Sequence, residues 1–268
     1  MAGEVIIRHA GPSGRSWLAR VQYWIYSSWF LMMVKYRKTL LGPLWLMVGP
    51  AVLVFALGQL YATINSVNLA YFVPFLTVGI IVWSLMIALI DGGTNVFFHN
   101  RDKIIHSGTP LLDVIMTNIF TAMLKLIHHL VILVVVYIIY RWGLSLYVFV
   151  SVLGVLILMY NGIWWAIVMG ILGVRFRDVS EIVTAIMGAM FFLTPILWTP
   201  DAPGRGGMLG PYLTYNPLYH FLEIIRAPIM GEPIDALSWM VVGTITVVGT
   251  VIAWLFHRRF AHLLPTWF

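Results

Sequence analysis

Three ionisable side chains, Lys125, His128 and His129, interrupt an otherwise apolar run of the sequence at 115–140. Lys125 and His129 are four residues apart, so they would lie on the same face of a helix. Ionisable groups inside a membrane span are candidates for moving protons or ions. A proton relay needs a carboxylate, however, and the nearest one, Asp113, is about three helical turns away. We therefore favour a structural role over a proton-coupled carrier or a channel: Lys125 would reach the membrane surface and the histidines would bond neighbouring helices.

The sequence contains no motif for catalysis or nucleotide binding. No lysine follows a glycine, so there is no G-x-x-x-x-G-K-[ST] loop, and neither H-E-x-x-H nor G-x-S-x-G occurs. His220 and Glu223 could share a helix face, but two side chains do not make a metal site, and we expect a hydrogen bond at the membrane surface instead. The alternative function, a membrane-embedded enzyme acting on a lipid-linked sugar, would need a nucleophile, a metal cluster or paired carboxylates. The ten acidic residues are scattered and cysteine is absent, so we expect no cofactor and no metal in this chain.

The composition indicates a protein that lies in lipid. Hydrophobic residues make up 61% of the 268 residues and charged residues 10%, whereas soluble domains have about 45–50% and about 25%. A soluble enzyme is therefore excluded, and we predict an all-α membrane protein. A transmembrane helix needs about 20 mostly apolar residues. Six stretches are predicted to span the membrane, which puts both termini on one side: Pro43–Ile64, Phe72–Ile90, Ile115–Tyr140, Leu144–Leu172, Ile182–Trp198 and Leu237–Phe256.

The basic residues indicate the orientation of these spans. With the N-terminus in the cytoplasm, twelve of the sixteen Lys and Arg residues fall on the cytoplasmic side, three fall on the opposite side, and Lys125 lies within a span. Cytoplasmic loops carry an excess of Lys and Arg, so both termini are predicted to be cytoplasmic. Membrane orientation then accounts for the net charge of +6 without a nucleic-acid partner.

Two segments outside the spans are predicted to lie at the membrane surface. The apolar part of Trp17–Tyr36 is too short to cross comfortably, which favours an amphipathic interfacial helix. The long connection at 199–236 is rich in Pro and Gly and is predicted to form short re-entrant or interfacial helices before the last span. Pro217 and Pro228 are expected to limit the helix between them, because proline starts helices well and breaks their interiors.

Three motifs resemble the ABC-2 type permeases that export polysaccharides. Tyr36–Trp45 (YRKTLLGPLW) is similar to the signature that opens the first span of that family. Arg175–Asp178 (RFRD) resembles its turn before the fifth span, and Asn216–Gly231 (NPLYHFLEIIRAPIMG) resembles its outer segment before the sixth. The motifs occur in the order of the family, the resemblance covers nearly the whole chain, and O-antigen exporters have the most similar pattern.

This resemblance implies a subunit of an ATP-driven exporter in the bacterial inner membrane. Two copies of the chain would form a homodimer that carries two copies of a separate P-loop ATPase, where ATP and Mg would bind. The homodimer would pass a polysaccharide on undecaprenyl diphosphate from the cytoplasm to the periplasm through a channel at its axis. Capsule and teichoic acid exporters are alternatives to O-antigen export. The chain would be one ABC-2 type transmembrane domain, with the N-terminal segment at 1–38, five spans at 39–198, the outer segment at 199–236, the last span at 237–256 and a cytoplasmic tail at 257–268.

The resemblance also implies where the ATPase and the outer gate lie. The connection between the second and third spans, about Phe97 to Leu112, would form the coupling helix. The residues expected to face the ATPase come from this connection and from the turn before the fifth span: Arg101, Asp102, Lys103, Arg175, Arg177 and Asp178. The outer gate would comprise Asn216, Pro217, Glu223, Arg226 and Pro228, of which Glu223 and Arg226 are spaced to form a local ion pair.

A path for a sugar polymer should be wet and lined by aromatic rings, which stack on sugar rings without holding them tightly. Most aromatic side chains in membrane proteins are instead lipid anchors or packing. Phe191 and Phe192 are the strongest candidates, because spans one and five are expected to face the dimer axis and Pro195 is expected to bend span five beside them. The further candidates are Tyr61, Trp83, Tyr160, Trp164, Trp165, Trp198 and Tyr215.

Overall fold

The computed structural model describes residues 16–65, 68–143, 146–200 and 212–268, which form a bundle of α-helices. The all-α prediction is confirmed for these ranges, in which no β-strand occurs. In chain order the helices are α1 (Trp17–Tyr36), α2 (Trp45–Asn65, after a 3-10 turn at Gly42–Leu44), α3 (Leu69–Thr94), α4 (Val96–His99), α5 (Arg101–Ile105), α6 (Leu111–Tyr140), α7 (Val148–Arg175), α8 (Asp178–Leu193), α9 (Pro217–Met230), α10 (Ala236–Phe260) and, after a 3-10 turn at Ala261–Leu263, α11 (Leu264–Trp267). Residues 212–215 are also helical.

Helix α3 is the centre of the bundle. Every residue from Phe72 to Trp83 is buried, and α3 contacts α2, α6, α7, α8 and α9. Leu76, Met86 and Leu89, on the same helix, are among the largest fully buried side chains. A helix that is apolar on all its faces must be enclosed by other helices or by lipid, and the neighbouring helices enclose this one. The second predicted span is therefore the element on which the others pack.

Five helices among the described residues are long and apolar enough to cross a membrane: Gly42–Ile64, which includes α2 except its last residue, then α3, α6, α7 and the segment Ala236–Trp267, which includes α10. They correspond to five of the six predicted spans. The remaining prediction, Ile182–Trp198, is only partly helical, because α8 has 16 residues and ends at Leu193. Thr194 adopts an extended conformation with ψ of 139°, as the residue before a proline prefers. The expected bend at Pro195 was therefore wrong, and the helix ends there instead.

The chain after α8 is irregular but buried. Thr194 and Ile196 have no exposed surface, and Ile196 packs against Gly79 of α3. A Cβ atom added to Gly79 would lie 3.3 Å from the Cγ2 atom of Ile196 and 3.6 Å from its Cα atom. Irregular backbone at membrane depth is stable only where protein covers it. Here α3 provides part of that cover.

Helix α1 has the bounds that the sequence predicts, and its polar side faces the bundle. Ser16 caps its first turn by accepting from the Ala19 backbone N–H at 3.4 Å. Trp24, Ser28 and Met32 are buried in the contact that α1 makes with α6. Large apolar side chains cover the exposed remainder of the helix, among them Trp17, Leu18, Tyr26, Trp29 and Phe30. A helix with this arrangement can face lipid with its apolar side while its polar stripe is bonded to protein.

A histidine compensates for the proline inside α2. Pro50 has no backbone N–H and therefore leaves the carbonyl oxygen of Leu46 without its helical partner. The Nε2 atom of His129, on α6, lies 3.1 Å from that oxygen and donates to it. The Nδ1 atom of His128 lies 2.7 Å from the carbonyl oxygen of Leu124 in its own helix. The expected bond to a neighbouring helix is confirmed for His129.

Two helices begin or end at residues other than those that the sequence predicts. The predicted coupling helix, about Phe97 to Leu112, is divided into α4 and α5, which Asn100 separates. Helix α9 continues through Pro228 to Met230, so the prediction that Pro228 limits it was wrong. Proline removes only one hydrogen bond so close to a helix end, and Gly231 ends α9 with a left-handed φ of 78°.

Helices α7 and α9 approach so closely that one position must be glycine. A Cβ atom added to Gly154 would lie 2.9 Å from the backbone oxygen of Ile224. That oxygen is the one that Pro228 leaves without a helical partner. Backbone cannot move aside as the end of a flexible side chain can, so the contact fixes α9 on α7.

We predict that Gly154→Ala lowers the stability of the folded protein while Gly243→Ala does not. Overpacking of this kind costs about 1–3 kcal/mol. A Cβ atom at Gly243, in α10, would meet no atom within 4 Å, and replacing a helical glycine in open space stabilises by about 0.5–1 kcal/mol. Thermal unfolding of the purified variants in one detergent measures the difference. Equal midpoints for the two variants would contradict the close approach.

Candidate functional site

The two charged turns expected to contact an ATPase lie side by side at one end of the bundle. This end, called the basic end below, comprises α4, α5, the turn between α7 and α8, and residues 258–268. The guanidinium carbon of Arg177 lies 6.0 Å from the ring centre of Phe98 in α4, which brings the two turns together. Arg101 and Asp102 are exposed on α5. The turns therefore form one surface, although about 70 residues separate them in the sequence.

The C-terminal segment completes this surface. The guanidinium carbon of Arg175 lies 5.7 Å from the ring centre of Trp267, and that of Arg101 lies 6.0 Å from the ring centre of Phe268. These distances allow weak cation–π attraction. Leu264, with no exposed surface, anchors the segment in the core.

The other two coupling candidates have local roles as well. The Lys103 ammonium donates to the Oδ1 atom of Asn100 at 2.9 Å. Asp178 is exposed in the first turn of α8, where a negative charge is stabilised by the N-terminal end of the helix dipole. Both residues remain on the same surface as Arg101 and Arg177.

A buried ion pair that the sequence does not reveal holds α1 to α6 near the basic end. One carboxylate oxygen of Asp113, Oδ1, accepts from Nε and Nη2 of Arg20 at 3.0 and 2.7 Å and from the Trp24 indole at 2.9 Å. Asp113 is only 1% exposed, because α1 covers it. The hydroxyl of Ser28 lies 2.9 Å from the carbonyl oxygen of Thr117, one turn along α6. The spacing of Arg20, Trp24 and Ser28 by four residues is the signal that marks this bonded stripe.

Three of the aromatic path candidates meet in one cleft. The cleft has a volume of about 470 Å³ and lies between α3 and α8, with Leu53 of α2 at its edge. The rings of Trp83 and Phe191 have centres 5.8 Å apart, and those of Phe191 and Phe192 are 5.3 Å apart and nearly perpendicular. Phe192 is 66% exposed, whereas Trp83 is buried. The structure thus combines candidates from two predicted spans in one aromatic wall.

Polar groups line the same cleft. Ser84 and Asp91, from α3, and Thr184, from α8, contribute to its surface. The hydroxyl of Thr184 donates to a carboxylate oxygen of Asp91 at 3.0 Å. Trp83 and Asp91 are eight residues apart on α3, so the polar and aromatic parts lie about 12 Å apart along the helix. Such a cleft offers hydrogen bonds and ring faces to a single elongated ligand.

The remaining path candidates lie outside this cleft. Trp164 packs on α10 at Gly249, and its indole donates to the Asn161 side chain at 2.6 Å. The hydroxyl of Tyr160 bonds that of Thr250 at 3.1 Å. These contacts join α7 to α10. Four further candidates also lie outside the cleft. The Trp165 indole donates to the Ile90 carbonyl oxygen, and the Trp198 indole donates to the Phe192 carbonyl oxygen. Tyr215 is exposed, and Tyr61 is half-buried against the core.

A buried arginine joins α9 to the irregular segment after α8. Arg226 is only 2% exposed. Its Nη1 atom donates to the carbonyl oxygen of Pro195 at 2.6 Å, and its Nη2 atom donates to the Glu223 carboxylate at 2.7 Å. The guanidinium carbon lies 4.0 Å from the ring centre of Phe75 in α3. The predicted ion pair of Glu223 and Arg226 is present. Arg226 also holds the backbone at Pro195.

Polar residues at the start of α9 fix the same region. The Oδ1 atom of Asn216 caps α9 by accepting from the backbone N–H groups of Leu218 and Tyr219, at 3.0 and 3.3 Å. Its amide donates to the Thr194 hydroxyl at 3.1 Å, and Pro217 occupies the first turn of the helix. Asn216 therefore connects α9 to Thr194, the residue that follows α8, and Arg226 connects α9 to the next residue, Pro195.

Both ring nitrogens of His220, in α9, form hydrogen bonds. His220 is buried, and its Nε2 atom donates to the Thr214 carbonyl oxygen at 3.0 Å. Its Nδ1 atom then accepts from the Ser238 hydroxyl, also at 3.0 Å. These bonds place His220 in the junction between α9, α10 and the helical turn at 212–215. The expected hydrogen-bonding role of His220 is confirmed, in the protein interior.

The long apolar helices of the bundle define a multi-pass membrane protein. The basic end forms a charged surface at one end of the bundle, and hydrogen bonds of Asn216 and Arg226 hold α9 at the other. Residues 22–230 match the ABC-2 type transporter family, and the chain belongs to that family.

Three curated relatives are similar to this chain, and each is an O-antigen export system permease protein RfbA. The one from Myxococcus xanthus is 22% identical over 80% of this chain and 83% of its own length. Two from Klebsiella pneumoniae are 23% and 21% identical, each over 86% of this chain and 90% of its own length.

We predict that Arg226→Gln destabilises the protein more than a comparable change at an exposed arginine. The variant removes the donor to Pro195 and leaves Glu223 without its partner, and breaking a buried ion pair costs about 3–5 kcal/mol. The matched control is Arg258→Gln, because Arg258 is exposed and its guanidinium carbon lies 4.7 Å from the ring centre of Trp254, a neighbour on its own helix. Surface changes cost within about 0.5 kcal/mol. Thermal unfolding in lipid nanodiscs measures both. A midpoint for Arg226→Gln equal to that of the control would show that the anchor is dispensable.

Proposed function

We propose that this chain is the membrane subunit of an ATP-driven exporter that moves an O-antigen polysaccharide, carried on undecaprenyl diphosphate, from the cytoplasm to the periplasm. Family membership and the names of its relatives support this substrate class. The cleft carries the proposal, because Trp83, Phe191 and Phe192 offer ring faces while Asp91 and Thr184 offer hydrogen-bonding groups. Sugars have both hydroxyl groups and weakly apolar ring faces, so they use both kinds of contact.

A second copy of the chain would close the open side of the cleft. Its exposed rim is apolar: Leu53 on α2 and Ile87 on α3 are each 41% exposed, and Phe192 on α8 is 66% exposed. A homodimer in which α2 and α8 face the axis would cover this rim and join two clefts into one channel. Such a channel would be enclosed on all sides, as a polymer path through a membrane requires.

The six-span topology with both termini in the cytoplasm is part of this proposal. The basic end carries Arg101, Arg175 and Arg258, which agrees with the excess of basic residues on cytoplasmic surfaces. Helix α8 and the buried segment to Pro200 together would form the fifth crossing. Helix α1 would lie in the cytoplasmic interface, where its exposed tryptophans favour the headgroup region.

Two copies of a P-loop ATPase would bind the basic end. The chain has no phosphate-binding loop of its own, so ATP and Mg would bind to the partner. Arg101 and Asp102 on α5 and Arg177 before α8 are exposed, and with the half-buried Lys103 they form one surface of mixed charge, which suits a polar, specific contact. Movement of the partner at this surface would reach α3 and α8, the two helices that line the cleft, through the short connections α4 and Arg175–Asp178.

We predict that exchanging the charges at the turn of α5, as Asp102→Lys with Lys103→Asp, uncouples ATP hydrolysis from export. Like charges placed against a complementary surface cost several kcal/mol, so export should fall more than about tenfold while the protein remains in the membrane. Co-purification of the ATPase, its turnover and the amount of surface polysaccharide are measured together. The control is Arg37→Glu, an exposed charge reversal outside the basic end. Normal export by the double variant would contradict this coupling surface.

We predict that Phe191→Ala with Phe192→Ala slows export or opens a leak to small solutes. Leucine at both positions keeps bulk without an aromatic face, so it should restore the seal more than transport. Phe149→Ala is the matched control, because Phe149 is 70% exposed on α7 and lies outside the cleft. Export and uptake of a small dye are measured in the same cells. Unchanged export and dye uptake in the double alanine variant would exclude these rings from the polymer path.

A further inference from the structure

A second cavity lies on a different side of α3 from the proposed polymer path. It has a volume of about 450 Å³ and is bounded by α3, α6, α7 and α9. This size falls within the range of about 300–1,000 Å³ that is typical of small-ligand sites. Its floor is formed by buried side chains, including Val78, Val82 and Ile225. Its open side is formed by Val134 of α6 and Val152 of α7, which are 56% and 57% exposed. The cavity is therefore a groove that opens between two membrane-spanning helices.

The length of the groove fits one leaflet of a bilayer. Along α6 its wall runs from Leu126 to Tyr137, which is about 16 Å at 1.5 Å per residue. The hydrocarbon core is about 30 Å thick, so one leaflet measures about 15 Å. A transmembrane helix of a second subunit would need a groove about twice as long. A single acyl chain matches the length and the apolar lining.

A buried hydroxyl group in the wall has no partner among the described residues. Ser151, in the first turn of α7, is 5% exposed and lines the groove, and its Oγ atom has no hydrogen-bond partner there. An unpaired buried hydroxyl costs free energy. The Oγ atom is turned away from the groove, and a rotation about the Cα–Cβ bond would bring it into the groove. An ester carbonyl of a phospholipid would then accept from this hydroxyl near the end of the groove where α7 begins.

Charge and an aromatic anchor occur at the same end. Trp142 lines the groove, and its indole donates to the Ile229 carbonyl oxygen at 3.2 Å. Arg141, directly before it, is exposed and belongs to neither ion pair of the described ranges. Arg141 ends α6 in the left-handed conformation, with φ of 47°. Tryptophan marks the membrane interface, and arginine binds phosphate well.

We infer that this groove is a binding site for one membrane phospholipid, with an acyl chain between α6 and α7, an ester carbonyl at Ser151 and an anionic headgroup at Arg141. The lipid would fill the space between the two helices of the α6–α7 hairpin and join it to α3 and α9. This site is independent of the proposed transport function, since it requires neither the ATPase nor the polysaccharide.

Photo-crosslinking of the purified full-length protein tests the site. The probe is phosphatidylglycerol with a diazirine in the middle of one acyl chain, incorporated in phosphatidylcholine vesicles. Label should concentrate in residues 126–137 and 148–155. Val152→Trp fills the groove and should abolish this label, whereas Leu153→Trp, at a neighbouring position 51% exposed outside the groove, should leave it unchanged. An even distribution of label over all lipid-facing helices would overturn the inference.

The headgroup contact is tested by variants of Arg141. Asn tolerates the left-handed conformation, so Arg141→Asn removes the charge without straining the turn, and Arg141→Lys keeps the charge. Arg141→Asn should weaken retention of phosphatidylglycerol about fivefold, as expected for one basic residue at a membrane surface, and Arg141→Lys should not. Native mass spectrometry counts the retained lipid. Equal retention by both variants would exclude the headgroup contact. Disulfide-linked dimers of Val152→Cys without lipid label would instead place a second copy in the groove and overturn the inference.

Discussion

The fold depends on one constraint, which is that every backbone carbonyl within the hydrocarbon must find a donor inside the protein. Prolines in the spans create carbonyls without a helical partner. Pro50 leaves the oxygen of Leu46 free, and His129 donates to it from α6. At the end of α8 the irregular backbone presents the oxygen of Pro195, and Arg226 donates to it from α9. In both cases a polar side chain joins two elements because a backbone group requires it.

This constraint changes the interpretation of ionisable residues within the membrane. His129 and Arg226 would be natural candidates for proton or substrate movement on position alone. Their bonds to backbone oxygens and, for Arg226, to Glu223 account for their burial without such a role. The groups left for ligands are those that line a cleft, such as Asp91 and Thr184 on opposite walls of the α3–α8 cleft. Chemistry in this protein is therefore better sought beside cavities than among all buried charges.

The sequence predicts what local hydropathy and charge determine. The bounds of α1 agree with the prediction, and the predicted first, third and sixth spans differ from their helices by a few residues, because charged or breaker residues flank them. The end of α8 was not predicted, because the apolar run continues to Trp198 while the backbone already leaves the helix at Thr194. The local pair of Glu223 and Arg226 follows from spacing, but its partner Pro195 lies 31 residues away. Likewise, the aromatic cluster of Trp83 and Phe191 requires the packing of α8 on α3, which hydropathy does not specify.

The attachment of α1 to α6 has a consequence for how the protein is made. The bond from Arg20 to Asp113 joins residues 93 positions apart, so it cannot form until α6 has been synthesised. At about 5–20 residues per second, this delay lasts about 5–20 seconds. During that interval two further apolar helices, α2 and α3, must enter the bilayer before the Arg20 guanidinium and the Trp24 indole have Asp113 as their acceptor. A helix with tryptophans on its apolar side can wait at the surface of the bilayer, and arrival of α6 then docks it. Insertion into the membrane would thus begin with the second helix, α2. The first helix of the chain, α1, would be among the last to reach its final position.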